Sequence, residues 1–142
     1  MATYTKYEPF IERFANKEID AFGTTETYKA AIHTDAPTVA TDDDLADLTQ
    51  IGGSNGYTTG GENITFNSTR SGGTVTATAT DVVWTASGGN LGASTTGRYV
   101  SYYNDTHASD ALVASWDYGA TFTVASGETF TLDFGASLFT LA

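Results

Sequence analysis

The chain contains no cysteine, two prolines and six basic side chains in 142 residues. Each scarcity excludes something. Without cysteine there is no disulfide, no zinc–thiolate site and no thiol nucleophile, a usage that fits synthesis in a reducing cytosol. Six bases against 17 acids give a formal net charge of −11, and so acidic a chain is not expected to bind a nucleic-acid backbone, which needs clustered lysine and arginine. No stretch approaches the roughly 18 consecutive apolar residues of a membrane-spanning helix, so no membrane partner is expected. Glu8 and Glu12 stand where a secretory signal would need an apolar run, so export by that route is not expected either.

What is abundant is threonine, 26 residues, together with 15 glycines. Threonine is stiff at Cβ, suits a pleated surface and tolerates water on one side. A threonine-rich, lysine-poor chain of 14.9 kDa reads as one all-β domain that buries roughly two-thirds of its unfolded surface without a staple.

The segments bear out that reading. Residues 27–33 alternate Tyr28, Ala30 and Ile32 on one face. Residues 63–70 and 74–84 flank Ser71-Gly72-Gly73 and read as a hairpin. Residues 98–104 and 111–118 flank a polar loop and read as a second hairpin, and 120–124 with 129–134 as a third. Residues 137–142 close the chain as a short strand. Seven or eight short strands at regular spacing predict a single β-sandwich, jelly-roll-like in its best description.

Two segments break the pattern. Residues 7–18 set Tyr7, Phe10, Ile11 and Phe14 at helical spacing, with Pro9 suited to a first turn. Residues 41–48 begin at a candidate N-cap, Thr41, and load the first turn with acids. The expected organisation is thus an N-terminal helical arm over 1–20 and a sandwich over 27–142, with one further helical turn. The arm is expected to be separable from the β domain.

No catalytic apparatus is legible. Neither His33, at the end of a strand, nor His107, in a hairpin loop, belongs to a metal-spaced pair, and no serine stands in a G-x-S-x-G elbow. Both histidines are read as solvated or capping. Asp42, Asp43, Asp44 and Asp47 suit helix capping better than opposed catalytic carboxylates. The loop Asn104 to Asp110 carries oxygen ligands but lacks the EF-hand glycine and terminal glutamate, so it reads as a solvated turn. The glycine clusters read as turns, not phosphate loops. No catalytic residue, metal or cofactor is expected.

The order of the segments carries a resemblance. The run from Lys6 to Thr38 (KYEPFIERFANKEIDAFGTTETYKAAIHTDAPT) is followed by LADLTQI, GGSNGYTTGG, VVWTASGGNLG, RYVSYYND and SWDYGATFTVASGETFTLDF. Together these resemble small virion structural proteins of tailed bacteriophages, over residues 5–134. The resemblance implies a non-enzymatic β-rich particle protein, a capsid decoration (cement) subunit or a tail-associated component. It implies assembly in the host cytoplasm, residence on the capsid surface, the major capsid protein as partner and self-association into a homo-oligomer.

The apolar residues of the arm exceed what one short amphipathic helix needs. Tyr4, Tyr7, Phe10, Ile11 and Phe14 are therefore candidate capsid or self-association contacts. Tyr57, a single ring among turn formers in Asn55 to Gly61, is either a lid on the sandwich edge or a further contact. A carbohydrate- or receptor-binding module is the alternative: Trp84, Tyr99, Tyr103 and Trp116 could stack on sugar rings if they faced solvent.

Overall fold

The computed structural model describes residues 2–20, 25–94 and 96–141. The chain is an all-β sandwich of antiparallel sheets with one short helix. In chain order the elements are β1 (Thr3–Lys6), α1 (Glu8–Ala15), β2 (Tyr28–His33), a 3-10 turn (Leu45–Asp47), β3 (Glu62–Ile64), β4 (Phe66–Ser71), β5 (Thr74–Ala79), β6 (Val82–Thr85), β7 (Gly97–Asn104), β8 (Ala111–Phe122), β9 (Thr129–Leu132) and β10 (Phe139–Leu141).

One layer is the five-stranded sheet β1-β8-β7-β2-β3; the other is made of β10-β5-β4 and the pair β6-β9. The pairings β1–β8, β2–β7 and β4–β5 nest one inside the next, and β3 lies against β6. This nesting has a jelly-roll character. The β7–β8 hairpin, however, keeps the outer two nested pairs in one sheet.

The register sorts the large sheet into two faces, since directly paired residues share a side. Its inner face carries the rows Tyr4–Trp116–Val100–Ile32 and Lys6–Ala114–Tyr102–Ala30. This face meets the second layer through Trp116 against Phe134 (ring centroids 5.5 Å apart) and Tyr28 against Phe66 (5.1 Å). From the second layer Val82, Trp84 and Leu132 are buried against it. The outer face carries Thr3–Asp117–Tyr99–His33 and Thr5–Ser115–Ser101–Ala31. The segment following β2 crosses this face, tied by Thr34 N–H to Thr49 O (3.0 Å) and Ile51 N–H to Ile32 O (3.1 Å). Strand β2 is consequently buried on both faces, not on one as alternation suggests.

Three further expectations need correction. Residues 120–122 continue β8, and β9 pairs with β6, so the third hairpin does not form. The two strands predicted over 63–70 and 74–84 each break in two, near Thr65 and Thr80, with only β4 and β5 forming the hairpin. The turn at 45–47 is a single 3-10 turn capped from Asp44, not an α-helix from Thr41. Asp47 accepts the backbone N–H groups of Asp43 and Asp44 (2.9 and 3.2 Å), which holds its carboxyl below the usual range. The closing strand is 139–141; Ala142 lies outside the described residues.

The N-terminal segment is also not a detached arm. β1 is a strand of the main sheet, Tyr7 is wholly buried and Phe10 nearly so.

Candidate docking groove between β1, α1 and β10

The chain leaves β1 at Tyr7 and turns into α1, with Pro9 in the first turn where its missing N–H costs nothing. Eight residues of helix then present two sides. Arg13 reaches Asp43 Oδ2 at 2.9 Å and Asp44 Oδ1 at 3.4 Å, which fixes the helix to the loop before the 3-10 turn. Phe10 and Phe14 stack at 6.0 Å on the other side, with Ile11 beside them. The C-terminal strand β10 arrives opposite, paired to β5.

Between β1, α1 and β10 lies an apolar groove of about 220 Å³, lined by Tyr4, Lys6, Phe10, Ile11, Phe14 and Tyr102 with residues 139–141 of β10. Its rim is unusual for this molecule. Tyr4 (37% exposed), Ile11 (52%) and Leu141 (40%) all belong to it, and Val83 is the one other large apolar side chain so exposed among the described residues. The groove exists because the inner faces of the two layers do not close completely here. Tyr4 rests on Trp116 at 5.2 Å, while Leu141 stands in the same row as Val75 and Arg70, two residues beyond Phe139, which packs on the core.

Four of the six candidate contact residues, Tyr4, Phe10, Ile11 and Phe14, converge on this groove. Phe10 forms floor and not rim, being buried. Tyr7 and Tyr57 are corrections. Tyr7 lies on the outer face of the sheet, its hydroxyl 2.8 Å from Ser101 Oγ; burial pushes that hydroxyl up to about 12. Tyr57 is 3% exposed and accepts the Ile32 N–H at 3.0 Å while donating to Gln50 Oε1 at 3.1 Å. It is a lid over the end of β2 and presents nothing outward. Sequence reasoning missed Leu141, Phe139 and Lys6, which share the groove only because β10 comes to lie opposite β1, a strand remote from it in sequence.

A second constellation crosses the outer face. His33 Nε2 lies 2.8 Å from Ser101 Oγ, and His33 Nδ1 lies 3.0 Å from the Asp35 carbonyl and 3.4 Å from its carboxylate. The carbonyl can only accept, so Nδ1 carries the proton and Nε2 accepts from Ser101. The order Ser–His–Asp has the members of a nucleophilic triad, spread over residues too distant in sequence to form a motif. Both Ser101 and His33 are fully buried, so the array is sealed from substrate and serves to satisfy buried polar groups. His33 is therefore not the solvated or capping residue expected. Its imidazole is held below its ordinary value by burial, against the opposing influence of Asp35.

The loop after β7 is organised from within. Asn104 Oδ1 accepts the N–H groups of Thr106 and His107, and Asp105 pairs with Lys29 at 2.8 Å. Among the described residues no group of three or more histidine, aspartate or glutamate side chains is placed to share a cation. The proposed sugar platform also dissolves: Trp84, Tyr99, Tyr103 and Trp116 are all buried. Their alternation along the strands is the pattern of a core.

No protein-family model, no curated protein and no solved structure matches the chain. Fold and groove define the molecule as an all-β sandwich with an exposed apolar groove between β1, α1 and β10.

Proposed function

We propose that the chain is a structural protein of a tailed-phage virion, a cement subunit that coats the head shell and attaches through the groove between β1, α1 and β10. The observation that carries the reading is the convergence on one groove of Tyr4, Ile11 and Leu141, three of the four large apolar side chains exposed among the described residues. Exposed apolar side chains gathered in one place mark an interaction surface more reliably than scattered ones. The order of sequence segments, resembling small virion proteins, supplies the partner: the major capsid protein, with further copies of this chain around a local symmetry axis. Several modest contacts then act together, and avidity can exceed a single contact by about 10²–10⁴.

The test is the composition of the particle. Gradient-purified virions should contain the chain in stoichiometric amount, and an image of them should place it on the head. Ile11→Asp, which changes an exposed side chain, should leave the fold intact and reduce occupancy strongly. Virions that lack the chain altogether would end the proposal, and density on the tail alone would move it there.

A further inference from the structure

The backbone of β1 adds an observation that the groove alone does not give. Tyr7 N–H donates to Val113 O at 3.0 Å, continuing the register that pairs Lys6 with Ala114 and Thr5 with Ser115. Bonded and non-bonded pairs alternate along an antiparallel ladder. Thr5 and Thr3 therefore bond to β8, and Tyr4 and Lys6 turn their N–H and C=O groups to the other side. β1 is the outermost strand of its sheet, and all four of its residues are exposed. The two residues with free backbone groups are also the two whose side chains line the groove. An open edge of this kind is a template for another strand.

Charge narrows the occupant. Arg13, Lys29 and Arg98 each hold an aspartate. Lys6 and Arg70 hold none among the described residues. Lys6 lines the groove, whereas Arg70 stands two strands beyond β10 in the row Leu141–Val75–Arg70. A lysine beside apolar walls with no acid paired to it among the described residues, in a chain of net charge −11, suits a partner with a carboxylate. Edge-to-edge pairing of two copies would bring two unpaired lysines to one edge and supply no acid.

We infer that β1 accepts an added strand from a partner protein: an extended segment with apolar side chains directed into the groove and a carboxylate on the same face that meets Lys6. Main-chain bonds to Tyr4 and Lys6 supply the attachment, and alternate side chains supply the selectivity. The identity of the partner as the shell subunit rests on the virion reading; the mode of binding does not.

The probe is the peptide Thr-Val-Thr-Glu-Thr-Val-Thr-Glu-Thr, whose valines and glutamates share the face that meets Tyr4 and Lys6, titrated into the isotope-labelled intact protein and followed by NMR. Saturable shifts confined to residues 3–14, Tyr102 and 139–141 are expected below about 1 mM. The same peptide with lysine for glutamate should not bind. Lys6→Gln removes only the charge, whereas Lys6→Pro also removes the outward N–H and leaves the ladder to β8 intact. The proline variant should weaken binding by about tenfold or more, beyond the effect of glutamine. A peptide N-methylated at alternate residues makes the same comparison on the unaltered protein and should likewise fail to bind. Absence of saturable shifts at about 1 mM, equal binding of the lysine peptide, or indifference to N-methylation would each overturn the inference. So would a β1-mediated dimer of the protein alone. Particle composition reports on the virion reading whichever way the peptide behaves, so the two fail separately.

Discussion

Trp116 ties three parts of the molecule together: its ring meets Tyr4 from β1, Tyr102 from β7 and Phe134 after β9. Truncation to alanine removes all three contacts at once and leaves a void under the groove. Trp116→Ala should cost about 3–5 kcal/mol, read as a large drop in denaturant midpoint; an unchanged midpoint would mean the ring is not in the core. His33 offers a second test at this scale. With its folded value held low, the unfolded chain binds the extra proton as pH falls below about 6.5. The stability associated with the neutral imidazole is present above that pH and declines as pH falls toward the folded value. Melting temperature should therefore drop between about pH 7 and pH 5.5, and His33→Gln should flatten that part of the profile. Equal slopes in the two proteins would remove His33 from the account. The burial of Trp84 and Trp116 could be read from their alternation along regular strands. The burial of His33 could not, because its partner Ser101 lies 68 residues away and no local pattern announces it.

Strands β4, β5, β7 and β8 could be read from alternation and glycine turns, since their partners are sequence neighbours. β1, β9 and β10 could not be placed, because each pairs with a strand remote in sequence and is four residues or shorter. The Tyr57 loop shows how tightly such remote pieces are fitted. Gly61 has φ +76, and a Cβ there would overlap the carbonyl oxygen of Ala30 in β2. Gly61→Ala should cost about 2–4 kcal/mol, whereas Gly72→Ala, at a hairpin tip with open space around it, should cost only its backbone strain. Comparable melting temperatures for the two would contradict the close approach of this loop to β2. The N-terminal segment gives the other element-scale test. Removing residues 1–14 strips Tyr7 and Phe10 from the core and exposes the edge of β8. Thermal unfolding of the truncated protein should lose its cooperative transition; a sharp transition would restore the separable arm that the sequence suggested.

At the scale of the molecule, an acid cluster and the apolar groove lie on different sides of α1. The acids of residues 42–47 draw together with Asp110 through Leu45 N–H to Asp110 O and Leu112 N–H to Asp43 O (3.0 and 2.9 Å), and Asp105 lies near Asp110 beside Lys29. Burial, aided by Asp105, raises the Asp110 carboxyl. The groove between β1, α1 and β10 is instead apolar, with Lys6 its one charged lining residue. On the proposed virion reading, acids facing solvent would keep particles mutually repulsive while the apolar groove attaches. If attachment depends on burial of Tyr4, Ile11 and Leu141 and on backbone pairing at β1, ionic strength should affect it little. The cation Lys6 then discriminates among partners more than it holds one. Particles washed at about 1 M salt, where the Debye length is about 3 Å, should retain the chain, and Ile11→Asp should release it at low salt. Quantitative release by salt from otherwise intact particles would assign attachment to ion pairs and leave the groove without its proposed role.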